Sequence, residues 1–230
     1  MAKWREETLA EGVRLICADC REVLPTLGKV DAVVTDPPYG MAFQSNHRTT
    51  QHAKIANDET DELLQWVCGV EAAHSKYIFC RWDNIWRVPT PKSLVTWVKN
   101  NWSMGDLEHE HARQTELCLF YAGKDHFFPN GRPNDVINAP RTGNDHHPTE
   151  KPVQLMFAVV GWTAGTVLDP FMGSGTTGVA AVRQGRPFIG CEIDPAHFDT
   201  ACRRLADAIA RGPDMFVARP KTKAEQEVLL

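Results

Sequence analysis

No apolar run in this 230-residue chain reaches the length of a membrane span, and the charged stretch from Met1 to Glu11 lacks the apolar core of a secretory leader. The seven cysteines are odd in number and scattered, so they do not form the even framework of a secreted disulfide scaffold. Cys17 and Cys20 make a CxxC, but one pair alone is a poor zinc site. Cys17 lies in a strand-like run, so both read as buried cysteines. These absences together make a reducing, cytoplasmic setting the expectation. No internal repeat or low-complexity tract is present. Excess positive charge is missing too: the net charge of −4 does not advertise a polyanionic partner.

Acidic residues are absent from two windows. No Asp or Glu occurs from Pro37 through Asn57, which holds His47, Arg48, His52 and Lys54. None occurs from Asn84 through Gly105, which holds Arg87, Lys92 and Lys99. A locally basic segment can meet phosphates while acids elsewhere keep the molecule dispersed, although an ordinary solvated loop has the same composition. With 43% apolar residues the chain has enough for one full core, and a single domain over 1–230 is expected.

Short apolar or β-branched runs predict strands at Val13–Ala18, Ala32–Thr35, Tyr77–Cys80, Leu94–Lys99, Glu116–Tyr121, Thr166–Leu168 and Phe188–Glu192. Helices are predicted at Asp61–His74, Val153–Trp162, Thr177–Gln184 and Pro195–Arg211. The last has Pro195 in its first turn and Gly212-Pro213 beyond its end. Strands alternating with helices argue for a mostly parallel α/β sheet. Gly40–Thr60 and Ala122–His146 are long for plain connections, which makes them candidate functional loops. Residues after 213 read as a loosely held tail.

Two segments carry chemistry. Asp36-Pro37-Pro38-Tyr39 ends the apolar run Ala32-Val33-Val34-Thr35. Prolines donate no backbone N–H, so the carbonyls of Asp36 and Pro37 can face a ligand beside the Asp36 carboxylate and the flat ring of Tyr39. Two acceptors beside a stacking ring suit a planar base with an exocyclic amino group. Taken alone, the tetrapeptide reads equally as a turn. The second segment is Leu168-Asp169-Pro170-Phe171-Met172-Gly173-Ser174-Gly175-Thr176-Thr177: a strand, a glycine turn and a helix start. Glycines let backbone N–H groups approach a ligand, and a helix N-terminus favours an anionic group.

Together the two segments resemble the amino-methylating DNA methyltransferases, whose catalytic motif is DPPY and whose cofactor motif is FxGxG. The order here, DPPY first, is similar to the β subgroup. The resemblance extends to Leu15-Ile16-Cys17-Ala18-Asp19-Cys20, to His147-Pro148-Thr149-Glu150-Lys151-Pro152, and to Phe188-Ile189-Gly190-Cys191-Glu192-Ile193. It implies the S-adenosylmethionine-dependent methyltransferase fold: a seven-stranded, mostly parallel sheet with helices on both faces. The strand order would be circularly permuted, with Leu94–Lys99 and Glu116–Tyr121 as an antiparallel edge hairpin.

The resemblance also assigns roles. Asp36, Pro37, Pro38 and Tyr39 are the expected catalytic residues. The expected cofactor contacts are Asp19 with Cys20 on the adenine, Glu192 on the ribose hydroxyls and Ile193 as a wall for the ring. Phe171, Gly173 and Gly175 are expected around the methionine moiety, with Thr149 and Lys151 on its carboxylate, and Asp36, Asp169 and Thr176 are further expected cofactor contacts. Glu150 departs from the commoner Gln. The expected cofactor is S-adenosylmethionine without a metal. The expected partner is double-stranded DNA, met by Arg48, Lys54, Lys99, Arg132 and Arg141, in a bacterial or phage-infected cell. A homodimer is compatible with the family.

An Asp at the head of the motif is associated in that family with adenine N6. Cytosine N4 methylation is the neighbouring alternative, and a module that binds cofactor and DNA without turnover is the non-enzymatic one. His109-Glu110-His111 has i, i+2 spacing rather than the i, i+4 of a zinc helix. Trp82, Trp86 and Trp97 fall near the presumed substrate face.

Overall fold

The computed structural model describes residues 3–38, 62–101, 108–109, 111–141 and 150–214. Among them are nine strands: β1 (Arg5–Ala10), β2 (Val13–Cys17), β3 (Ala32–Thr35), β4 (Ser75–Cys80), β5 (Ser93–Val98), β6 (Thr115–Ala122), β7 (Val136–Asn138), β8 (Val167–Asp169) and β9 (Phe188–Glu192). The α-helices are α1 (Cys20–Val23), α2 (Glu62–Gly69), α3 (Val153–Gly161), α4 (Thr176–Arg183) and α5 (Pro195–Arg211). All nine strands join one sheet in the order β1-β2-β9-β8-β3-β4-β6-β5-β7. The five strands from β2 to β4 run parallel, and β6 is antiparallel to both β4 and β5.

Burial on both faces explains why the central strands read as unbroken apolar runs: every residue of β3 and β8 is buried. Alternation along the strands divides the core. Val34, Tyr77, Phe79 and Val167 pack with α3, α4 and α5 on one face. Val33, Ile78, Cys80 and Leu168 pack with α2 on the other, and Ile16 and Cys191 pack there with Cys20 and Val23 of α1. The permutation is present. Of the seven expected strands, the first in the chain (β2) pairs with the last (β9).

Four expectations are corrected. The sheet has nine strands rather than seven, because β1 and β7 extend its edges. Strand β1 opens with Arg5, Glu6 and Glu7, a pattern no hydrophobic period detects. Such charge suits an edge strand, where it discourages pairing with another chain. Strand β7 lies inside the expected 122–146 loop, so the β5–β6 hairpin is not the outermost pair. Helix α2 stops at Gly69. Beyond it, Ala73 and His74 donate backbone N–H groups to the carbonyls of Val30 and Asp31, which lead the chain into β4.

Helix α5 has the expected boundaries. The Asp194 carboxylate caps it by accepting from the N–H groups of Ala196 (2.8 Å) and His197 (3.0 Å), and Gly212 ends it.

Candidate active site at the carboxyl edge

The parallel strands β2, β9, β8, β3 and β4 all end on one edge of the sheet. That edge therefore carries Asp19, Glu192, Asp169 and Asp36 in a row. From β8 the chain crosses through α4 to β9 on one side. From β3 it crosses through α2 to β4 on the other, and these two helices pack on opposite faces. The strand order thus reverses between β8 and β3, and a crevice outside such a reversal is where open α/β sheets bind ligands. The Thr35 hydroxyl spans the reversal by donating to Asp169 Oδ1 at 2.5 Å.

On the β8–β9 side, Gly175 is the N-cap of α4 at φ +84°. A Cβ there would lie 2.8 Å from Leu205 Cδ1 and 2.9 Å from Ala201 Cβ, so backbone conformation and α5 both require glycine. Gly173, at φ +51°, has no atom within 4 Å of where a Cβ would sit. Its N–H donates to Glu192 Oε2 at 2.9 Å, and the Asp194 N–H donates to Oε1 at 2.9 Å. Burial raises the Glu192 pKa, while these two backbone donors favour the ionised form. Each carboxylate oxygen keeps a second lone pair that a diol can use. Ile193 beside it is 43% exposed.

Several expected contacts point elsewhere. The Asp169 carboxylate is turned inward, bonded to Thr35, the Phe171 N–H and Thr177. Burial pushes its pKa up to about 6 against those hydrogen bonds. It ties β8 to β3. Cys20 is buried with Ile16 and Val23, and desolvation pushes its thiol up to about 12, so its side chain belongs to the core. Asp19 caps α1 through the Arg21 N–H (2.9 Å), and its carboxylate is paired with the Arg21 guanidinium. That hydrogen bonding holds its pKa below the usual range. Phe171 is half-buried against both clusters of the α1–α2 face.

Thr176 is buried in a network that motif spacing did not reveal. Its hydroxyl donates to Glu150 Oε1 at 3.2 Å. The same oxygen accepts from Arg204 of α5 at 2.7 Å, and the Glu150 side chain is only 4% exposed. Arg204 also donates to the Ser174 carbonyl (2.9 Å) and Ser174 Oγ (2.7 Å). Glu in place of Gln at position 150 thus has a local counter-charge, and the glycine turn is tethered to α5.

On the β3 side, Asp36 is half-buried and Pro37 is buried. Lys151 Nζ lies 2.6 Å from Asp36 Oδ2 and 2.6 Å from Glu116 Oε1, at the start of β6. Lys99, just beyond β5, lies 2.8 Å from Glu116 Oε2. Burial disfavours the charge on Lys151, but the two carboxylates outweigh it and raise its pKa. Burial likewise opposes charge on Glu116, and the two ammonium groups outweigh it and hold its pKa low. Lys151, expected on a cofactor carboxylate, therefore sits on Asp36, the carboxylate expected to be catalytic. Sequence reading did not single out Glu116, whose local signal is a lone acid opening an apolar strand.

The proposed DNA cations divide. Lys99 is 17% exposed, paired with Glu116 and stacked on the Trp97 ring, so it is removed from that set. Arg132 precedes β7 and lies at the opposite, amino edge, where Asn130 bonds the Gly161 carbonyl at the end of α3. Arg141 follows β7 on the site edge, is exposed, and is held through its backbone N–H by Asn100. Trp97 is buried, with its indole N–H on the Ala139 carbonyl, whereas Trp82 and Trp86 are exposed. Tyr39, Arg48, Lys54 and Thr149 lie outside the described residues. Among the described residues no group of three or more His, Cys, Asp or Glu is arranged to hold a metal, and no helix is long and apolar enough to cross a membrane.

Residues 74–203 match the N6/N4 methyltransferase model, described as DNA methylase. The match includes Lys151, the glycine turn and Glu192, while Asp36 precedes it. "Putative methylase YubD" of Escherichia coli (strain K12) is 34% identical, over 84% of this chain and 90% of its own. The type II methyltransferase M.HinfI of Haemophilus influenzae is 25% identical, over 84% and 68%. Among solved structures, the M1.HpyAVI–SAM complex superposes with a TM-score of 0.64 at 28% identity, covering 83% of this chain and 98% of that one. The cytosine-N4-specific PvuII DNA methyltransferase shares the fold at a TM-score of 0.62 and 14% identity, over 89% and 88%.

Proposed function

The chain belongs to the N6/N4 DNA methylase family, and from that premise we propose that it methylates the exocyclic N6 amino group of adenine in double-stranded DNA, using S-adenosylmethionine. One observation carries the reading: the Asp36-Pro37-Pro38 acceptors lie directly across the strand reversal from the glycine turn and Glu192.

The residues around the turn fit the cofactor. Glu192 is oriented by two backbone donors and can accept from ribose hydroxyls, exposed Ile193 offers an apolar wall, and Gly173 leaves open space where a side chain would stand. When bound, the cofactor supplies an electrophilic methyl group on a sulfonium. The chain's own work is to position and to stabilise charge. An aryl amine delocalises its lone pair into the ring. Acceptors at its two N–H bonds, the Asp36 carboxylate and the Pro37 carbonyl, draw that pair out of conjugation. Asp36 needs no strong basicity, because the amine becomes acidic only as its bond to carbon forms. Pro38 stiffens the receiving loop and Tyr39 stacks on the base. The base leaves the helix to be reached, at a cost of roughly a few kcal/mol. Arg141, exposed on this edge, meets phosphate under this reading. Under this reading residues 1–230 act as one catalytic domain.

The test is to incubate mixed-sequence DNA with protein and cofactor, digest it to nucleosides and weigh them. N6-methyladenine is expected, and a digest containing only N4-methylcytosine overturns the adenine assignment. Asp36→Ala is expected to abolish transfer while cofactor affinity stays within a few fold.

A further inference from the structure

Four charged side chains run in an unbroken line from the connecting end of the β5–β6 hairpin to the residue after β3: Lys99, Glu116, Lys151 and Asp36. Successive separations are 2.8, 2.6 and 2.6 Å. The line is electrically neutral and its side chains are between 8% and 20% exposed. Screening by water is therefore weak, and each charge depends on its neighbours. The arrangement poses a problem for the proposed chemistry. Asp36 must accept from a target amino group, yet one of its oxygens already accepts from Lys151.

We infer that Glu116 is a positioning residue for Asp36, acting through Lys151: it holds part of the ammonium's charge away from the catalytic carboxylate, so that Asp36 stays ionised yet remains able to accept from the target base. The inference rests on the proposed role of Asp36. An ammonium has three donors and no acceptor, so Lys151 can serve both carboxylates at once, and their relative pull decides which one it favours. With Glu116 neutralised, Lys151 settles on Asp36 and competes with the amine. With Lys151 neutralised, Asp36 loses that cation while Glu116 keeps its charge nearby. The two perturbations thus act on Asp36 with opposite sign, which a merely structural role for Glu116 does not produce. Lys99 completes the device by keeping Glu116 ionised. Among the described residues, the other titratable groups whose charge reaches Asp36 are Asp169 of β8, Cys80 of β4 and Cys118 of β6. Burial keeps both thiols neutral at working pH, which leaves Asp169 as the second carboxyl in the field.

The experiment follows Asp36 itself. Protein labelled with 13C in its aspartate carboxyls is titrated by NMR, and the Asp36 signal is assigned by its loss in Asp36→Asn, which also separates it from Asp169. Glu116→Gln is expected to lower the Asp36 midpoint, and Lys151→Gln to raise it, each by about one pH unit or more. Should Glu116→Gln fail to fold, Lys99→Met/Glu116→Gln removes one charge of each sign and keeps the Lys151–Asp36 pair; the same downward shift is expected. In the transfer assay, Glu116→Gln or the double variant is expected to lose kcat by roughly tenfold or more, with cofactor affinity held within about threefold. Midpoints that move in the same direction, or do not move, overturn the inference, as does a parallel loss of cofactor affinity. A wild-type protein that methylates no base overturns the proposed function instead, and the Asp36 titration still decides whether Glu116 acts on it.

Discussion

Replacing Arg204 of α5 by methionine keeps an aliphatic stem at that position and deletes the guanidinium. Glu150, 4% exposed in its side chain, then loses the counter-charge at 2.7 Å, and the Ser174 carbonyl and hydroxyl lose their donors at 2.9 and 2.7 Å. Removing one partner of a buried ion pair costs about 3–5 kcal/mol, mostly because the other charge stays behind unpaired. Total stabilities run about 5–15 kcal/mol, so the variant approaches the limit of folding. For a chain of this size the loss corresponds to a fall in Tm of roughly 6–20 °C. The compensating change, Glu150→Met with Arg204→Met, removes the stranded carboxylate. It is expected to recover at least half of the loss, since an apolar pair of similar volume often matches a buried ion pair. Urea denaturation of wild type, both single variants and the double at pH 7 closes the cycle, with unchanged m-values as the check on two-state behaviour. A loss under about 1 kcal/mol for Arg204→Met, or a second substitution that adds to the damage, refutes the argument that the pair is a buried, mutually dependent unit.

Two further outcomes follow from the geometry. Glu192→Ala removes a carboxylate held at the crevice by two backbone donors; calorimetry is expected to show the cofactor dissociation constant rising by roughly ten- to a hundredfold, and an unchanged constant removes Glu192 from the ribose role. His74 is 3% exposed, and burial lowers its pKa from 6.5 to about 4. A base whose pKa is depressed by folding contributes stability above the unfolded value of 6.5 and loses it as pH falls toward 4, by up to about 3 kcal/mol. Denaturation midpoints of wild type and His74→Phe across that window test this, since the variant should lack that part of the acid loss.

Most of the scaffold was legible because its signals are local. Seven of the nine strands announce themselves as short apolar runs, and the Asp194-Pro195 start and Gly212 end of α5 are backbone chemistry readable within a few residues. Strands β1 and β7 were not legible. The first is charged and the second is three residues long, and both exist as strands because a neighbouring edge offers hydrogen bonds. The charge partners were hidden for a different reason. Lys151 and Asp36 are 115 positions apart, and no spacing rule links them.

By itself, then, the sequence determined the alternation of strands and helices, the conformation of the glycine turn, and the row of acids at or just beyond strand ends, because each depends on dihedral preference and burial within a short segment. The tertiary structure decided what those acids do. Asp169 is turned inward by Thr35 from the adjacent strand, while Glu192 is held by two backbone donors, one of them in the glycine turn. Asp36 shares Lys151 with Glu116, and Glu150 is answered by Arg204. Those outcomes rest on charges only a few ångströms apart in a weakly screened interior, a proximity created by the folded order of the strands rather than by their order in the chain.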